Sequence, residues 1–315
     1  MLHLIVPLLI FVPKERNMDF DVIIIGGSYA GLSAALTLAR ATRSVLVIDS
    51  GKPCNRQTPH SHNFLTHDGD TPAEIAAEAK AEVLKYPTVK MIAGKAIKAS
   101  QKTSGFTVGL ESGESFSARK LLIATGLKDV LPEIKGLAEC WAISVIHCPY
   151  CHGYEVKGEA IGLMMNGDAA FDMAKNLYLW NKDLTLLTNG KSELTAEQTE
   201  KLKAKSIRII EAEIVEFEHN RGNISEVVFA NGEKLALKAV YARPNVEQHI
   251  DFDAQLNFEL TDLKTIKVNE QQQTTAKGVY AAGDCATMFR SLSYITAAGT
   301  MAAVVLNKEM ISEDF

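Results

Sequence analysis

Val22-Ile23-Ile24-Ile25-Gly26-Gly27-Ser28-Tyr29-Ala30-Gly31 is the stretch on which the reading of this chain turns. Residues 19–25 read as a buried parallel strand, because an unbroken aliphatic run suits a strand covered on both faces. A glycine turn follows. Residues 32–40 then read as a helix, with Leu32, Ala35, Leu36 and Ala39 on one face. A second strand, 44–48, ends at Asp49. Strand, glycine turn, helix, strand and acid in this order make the layout of a dinucleotide site. The turn lets backbone N–H groups approach a pyrophosphate at the helix N-terminus, and Asp49 accepts from a ribose. The third fingerprint position is Ser28 and not Gly; serine is small enough to keep the turn. An ordinary strand–turn–helix is the bland alternative, and Asp49 in its place weighs against it.

Further along, residues 120–126 read KLLIATG and residues 278–284 read GVYAAGD. A strand that ends in Gly-Asp places a carboxylate beside a ribityl or ribose hydroxyl. Residues 291–306 predict an Ala-rich closing helix. Between these pieces lies a second strand–helix–strand unit: 160–164, 168–180 and 183–187, with Ala170, Met173, Ala174 and Leu177 on the apolar face of the helix. Its turn reads Met165-Asn166-Gly167-Asp168-Ala169-Ala170 and its second strand runs into Thr188-Asn189-Gly190.

Between the two units stands HCPYCHGYE, residues 147–155. Cys148 and Cys151 are two of five cysteines in 315 residues, too few for a disulfide-stapled scaffold. A structural zinc takes four ligands, and no second CxxC or suitably spaced His pair completes a set; no metal is expected. A buried unreactive pair is the other bland reading. A redox pair fits better, with Pro149 and Tyr150 as a short rigid turn and a neighbouring imidazolium or helix terminus to favour the thiolate. Cys54, Cys140 and Cys285 read as structural.

The chain is 47% hydrophobic and 23% charged, with a net charge of −5. Without a basic run, a nucleic-acid partner is not expected. The apolar run 2–12 is shorter than the roughly 20 residues needed to span a bilayer. Lys14 and Arg16 follow it, whereas a signal peptide carries its positive charge ahead. Residues 1–17 therefore read as an apolar extension ahead of a start at Met18, in a cytoplasmic protein with no membrane partner; a membrane-touching or partner-binding tail is the alternative.

The fingerprint, the ATG and the GVYAAGDC stretches resemble the FAD domain of the two-dinucleotide-binding flavoprotein disulfide reductases. The length and the CxxC position resemble the low-molecular-weight thioredoxin reductases, from about Met18 to Lys308. The resemblance implies an α/β fold with two Rossmann-like dinucleotide-binding domains. An FAD-binding domain, 18–126 and 244–315, would be interrupted by an NAD(P)H-type domain, 127–243, that carries the CxxC. It implies FAD held by Gly26, Ser28, Ala30, Gly31, Asp49, Ser50, Asn55, Asn63, Thr125, Gly126, Gly283, Asp284, Tyr294 and Ile295, and a homodimer. NADPH is doubtful, because the family has Gly where Met165 stands. It also carries arginines, or an acid for NAD, where this chain has Thr188-Asn189-Gly190 and only Lys191 nearby.

One departure narrows the resemblance. Thioredoxin reductases have a proton-handling Asp after the second cysteine, and here His152 stands there. This C-x-x-C-H-G arrangement resembles a branch that includes the gliotoxin- and holomycin-type dithiol oxidases. So do Gly51-Lys52-Pro53-Cys54-Asn55, the following His60, His62, Asp68 and Gly69, and Trp180 ahead of a strand ending Thr188-Asn189-Gly190. The implied roles are Cys148 as the thiol that exchanges with substrate, Cys151 as the flavin-proximal thiol and His152 as general base. His147 fits a supporting place equally well. The expected function is oxidation of a small dithiol to a disulfide with oxygen as acceptor. The alternatives are a thioredoxin reductase, acting on a thioredoxin-like protein and fed by NADPH or a donor such as ferredoxin, and a non-catalytic flavin-binding redox sensor.

Overall fold

The computed structural model of the chain describes residues 18–315; the expectations placed on residues 1–17 lie outside them. Among the described residues, Phe20–Ile25 lies inside a seven-stranded sheet, and its aliphatic run is buried. Ile23 pairs in parallel register with Leu46 on one side and Leu121 on the other. The order is Val89–Ala93, Val45–Asp49, Phe20–Ile25, Ser115–Ile123, Gly105–Leu110, Ala96–Lys102. The strand Ser115–Ile123 changes partner along its length. Its first half pairs antiparallel with Gly105–Leu110, and its second half pairs parallel with Val279–Ala281.

The helix Tyr29–Arg40 begins three residues earlier than its apolar face announces, because Ser28 is already extended as the residue before it. It packs against the C-terminal helix Leu292–Asp314. At their crossing a Cβ on Gly299 would lie 2.1 Å from the Ala30 carbonyl oxygen, so only glycine permits this approach. The C-terminal helix outruns the expected end at residue 306. Its last turns are fixed by charge: Lys120 pairs with Glu309 and Glu313, and Arg43 and Arg119 pair with Asp314.

A second sheet holds Arg208–Ile210, Leu184–Leu187, Ile161–Met164, Ala239–Ala242 and Val145–Ile146, in that order and all parallel. Helix Gly167–Leu177 buries Ala170, Ala174 and Leu177 against it. A three-stranded antiparallel sheet, Ile214–Asn220, Asn223–Phe229 and Lys234–Ala236, completes this part. The chain enters it through Lys128–Val130 and leaves through Asn245–Glu247, and these two short strands pair antiparallel as a ribbon. The architecture is α/β with two Rossmann-like sheets.

Candidate redox and cofactor site

Cys148 and Cys151 form a disulfide, with their Cα atoms 5.3 Å apart. Residues 149 and 150 are not a plain turn: Pro149–His152 is one turn of helix capped by Cys148. Proline starts it well because its fixed φ suits the first helical position and its missing N–H is not needed there. Cys148 Sγ accepts from the Cys151 N–H at 3.2 Å, a contact that in the reduced pair favours the thiolate.

The two flanking imidazoles differ. Burial lowers the His147 pKa to about 4, and Arg290 adds to the effect. Its ring stacks on Trp141 with centroids 5.9 Å apart. His152 is also lowered by burial, but Glu155 opposes the shift. Both are therefore neutral at pH 7, and His152 directly follows Cys151. A cleft of about 280 Å³ opens beside Pro149, lined by Tyr150, Tyr154, Glu155, Trp180, His62 and Asp68. Tyr150 stands edge-on to Trp180. His62 bridges the two halves of the rim, 3.5 Å from Glu155 and 3.8 Å from Asp68.

The expected nucleotide residues of the first fold gather at one end of its sheet. Gly27 N–H donates to Asp49 Oδ1 at 3.2 Å. Gly26 has φ +111°, and a Cβ there would lie 2.1 Å from the Ala124 carbonyl oxygen; one on Gly31 would lie 1.9 Å from that of Gly26. Gly283, at φ +88°, comes within reach of Ala30. Thr125 and Gly126 adjoin the buried Cys285. Cys54 places its sulfur 3.6 Å from Asp284 Oδ2, which brings the segment holding Asn55 to the same place. Cys54 is an exposed residue, yet desolvation around its sulfur, then the Asp284 charge, push its thiol up to about 11. Ser50 is exposed beyond Asp49. Asn63 has φ +60°, and its N–H donates to Asp68 at 2.7 Å. Ile295 is buried in the core shared with the first helix, while Tyr294 is exposed and edge-on to Phe289.

The residues fit a bound dinucleotide. Asp284 Oδ1 is buried without a hydrogen-bond partner, and an orphaned carboxylate oxygen calls for a hydroxyl. The close approaches at Gly26 and Gly31 keep side chains out of the turn, where a pyrophosphate would meet the start of the helix.

In the turn of the second fold, the Asn166 side chain takes up backbone groups of two segments. Asn166 Oδ1 accepts from the N–H groups of Gly167 and Glu193, both at 2.9 Å, and its amide donates to the Lys191 carbonyl. A Cβ on Gly167 would lie 3.5 Å from a Glu193 carboxylate oxygen. Asp168 adds a second carboxylate in the first helical turn. Among the described residues no group of three or more His, Cys, Asp or Glu is placed to hold a metal ion.

Sequence reasoning missed Arg290, Asp129 and Trp141. Arg290 donates through Nε to Asp284 at 2.8 Å and through Nη1 to Asp129 at 2.7 Å. Trp141 Nε1 donates to Asp129 at 3.1 Å. No motif joins residues so far apart in the chain. The nearest available signal was a lone arginine six residues after the Gly-Asp pair.

Two nucleotide-type sheets with a CxxC disulfide on the second define a disulfide oxidoreductase. The family described as pyridine nucleotide-disulphide oxidoreductase matches residues 20–302, and the chain belongs to it. It is similar to thioredoxin reductase tcpT of Claviceps purpurea (strain 20.1), at 32% identity over 93% of this chain and 95% of that protein. Among solved structures it is similar to an oxidoreductase from Agrobacterium tumefaciens, with a TM-score of 0.88, 38% identity, and 93% and 99% of the two chains covered. The structure of HlmI is also similar, with a TM-score of 0.87, 32% identity, and 94% and 93% covered. The protein is thus a thioredoxin reductase-like enzyme with Cys148–Cys151 as its redox pair, and members of this family bind FAD.

Proposed function

We propose that the enzyme binds FAD in the first fold and oxidises small dithiols to disulfides, with oxygen as the acceptor. The observation that carries this reading is the turn of the second fold. Asn166 takes up the N–H groups of Gly167 and Glu193, which a pyridine nucleotide's pyrophosphate would otherwise need, and the Glu193 carboxylate stands beside Gly167. A helix N-terminus that faces carboxylates repels phosphate. Electrons therefore enter from the thiol side. The C-x-x-C-H-G resemblance and the likeness to HlmI support the same direction.

The residues divide the work as follows. Gly26 and Gly31 would keep the turn clear for the cofactor's pyrophosphate, Asp49 would take a ribose, and Asp284 Oδ1 would take a hydroxyl of the chain next to the flavin. A substrate thiol enters the cleft beside Tyr150 and Trp180 and gives its proton to His152 as it attacks Cys148 Sγ. The Cys148–Cys151 bond breaks and Cys151 leaves as thiolate. The second substrate thiol attacks the mixed disulfide at the substrate's sulfur. Substrate leaves as a disulfide, and the enzyme pair is left as two thiols. FAD, when bound, supplies the two-electron relay that restores the Cys148–Cys151 disulfide and delivers the electrons to oxygen. The balance is one dithiol and one oxygen to one disulfide and one hydrogen peroxide.

The relatives named thioredoxin reductase support a second reading, in which NADPH drives reduction of a thioredoxin-like protein. Oxygen consumption with small dithiols and no nicotinamide separates the two. Turnover with one peroxide per dithiol is expected. No uptake with any dithiol, together with NADPH-driven thioredoxin reduction, would reverse the assignment.

A further inference from the structure

One chain of contacts crosses the molecule from the cofactor acid to the disulfide. Asp284 lies just after Val279–Ala281 in the first fold, Asp129 lies in the connecting ribbon, and Trp141 and His147 belong to the inserted part. The Arg290 guanidinium sits between the two carboxylates, and all three side chains are nearly buried, at 9%, 12% and 8% exposure. Its Nε meets Asp284 Oδ2, and its Nη1 and Nη2 meet the two oxygens of Asp129 at 2.7 and 3.5 Å. Asp129 in turn accepts from Trp141 Nε1, and the Trp141 ring lies flat on His147, next to Cys148. Asp284 thus spends one oxygen on Arg290 and keeps Oδ1 buried and unpartnered.

We propose that Arg290 is a positioning residue that ties the cofactor end of the site to the disulfide end: it aims Asp284 Oδ1 at the cofactor and, through Asp129 and Trp141, sets the place of His147 and Cys148. A planar guanidinium reaches two carboxylates from separate edges, which an ammonium cannot do in the same geometry. The two arms of the contact are separable. Loss of the Asp129 arm frees the disulfide segment and leaves Asp284 held; loss of Arg290 frees both. The proposal rests on FAD occupying the first fold, and oxygen plays no part in it.

Three variants test it: Asp129→Asn, Arg290→Lys and Arg290→Met. Each is made in the full chain and in a Trp180→Phe background, where Trp141 is the remaining tryptophan. FAD affinity is read by quenching of flavin fluorescence, and disulfide reactivity by air-free bleaching of the flavin with dithiothreitol. Trp141 emission is read before FAD is added. Asp129→Asn is expected to hold FAD within about threefold of the parent while bleaching slows at least tenfold. Arg290→Met is expected to lose at least tenfold in both, and its Trp141 emission to shift in the FAD-free protein. Arg290→Lys is expected to regain FAD affinity and not the bleaching rate. Wild-type affinity, bleaching rate and Trp141 emission in folded Arg290→Met, or a proportional loss of affinity and rate in Asp129→Asn, would overturn the proposal. A parent protein that takes no FAD refutes the cofactor reading instead, and the emission arm still reports on Arg290.

Discussion

His147 and His152 stand on either side of one disulfide, and their surroundings give them different work. A base with a pKa near 4 is a poor proton acceptor at neutral pH, and at His152 the Glu155 charge opposes the lowering by burial. His152→Ala should keep FAD and lose roughly 10²–10⁴-fold in turnover, the usual worth of a positioned base. The acid limb of kcat/KM should fall below pH 6.5, since the His152 pKa is lowered from that value; a limb above it would assign the base elsewhere. His147 bears on stability. Its native pKa of about 4 lies below the ordinary 6.5, so the unfolded chain binds the proton first. Its contribution is present above about pH 6.5, declines as pH falls through that window, and is lost below about 4. Thermal melts of His147→Gln across pH 4–7 should show a flatter profile than the parent. At Cys148 and Cys151, replacement of either by Ser should abolish turnover, because exchange requires both sulfurs.

The C-terminal helix shares one core of the first fold with the first helix, and its fit depends on Gly299. A Cβ there meets the Ala30 backbone, which cannot move without disturbing the glycine turn. Gly299→Ala should cost about 1–3 kcal/mol through overpacking. It should also weaken FAD binding, measured by a melt and a flavin titration on the same sample. What was legible in the sequence divides along these lines. Gly26, Gly31 and Asp49 announce themselves because a turn, a helix start and a strand end lie within one short unit of chain. The eight extra residues of the last helix do not, because Arg119 and Lys120 of one distant strand and Arg43 of a loop hold them. The strands at 214–236 pair antiparallel outside both nucleotide folds and carry no signature of their own. Arg290 was invisible for the same reason: its partners are brought to it by the tertiary fold.

At the scale of the whole molecule, the two sheets have similar architecture and different uses. The first keeps an open glycine cradle with an orphaned acid, and the second closes its own with Asn166 and Glu193. NADPH should therefore reduce the flavin slowly or not at all in a stopped-flow experiment, and reduction within milliseconds to seconds would contradict this. Met165→Gly combined with Glu193→Ser should raise the rate, since it opens the turn and removes a carboxylate from the helix N-terminus. The two-strand ribbon Lys128–Val130 and Asn245–Glu247 has a consequence for biosynthesis. Leu121 pairs with Val279, so the first sheet lacks its last parallel strand until everything between the ribbon strands has been made. The inserted part emerges whole beforehand, with its two ends side by side, and domains fold as units as they emerge. On the ribosome the order of completion is thus the reverse of the order of sequence: the part that begins second finishes first, and the cofactor end of the site is sealed last.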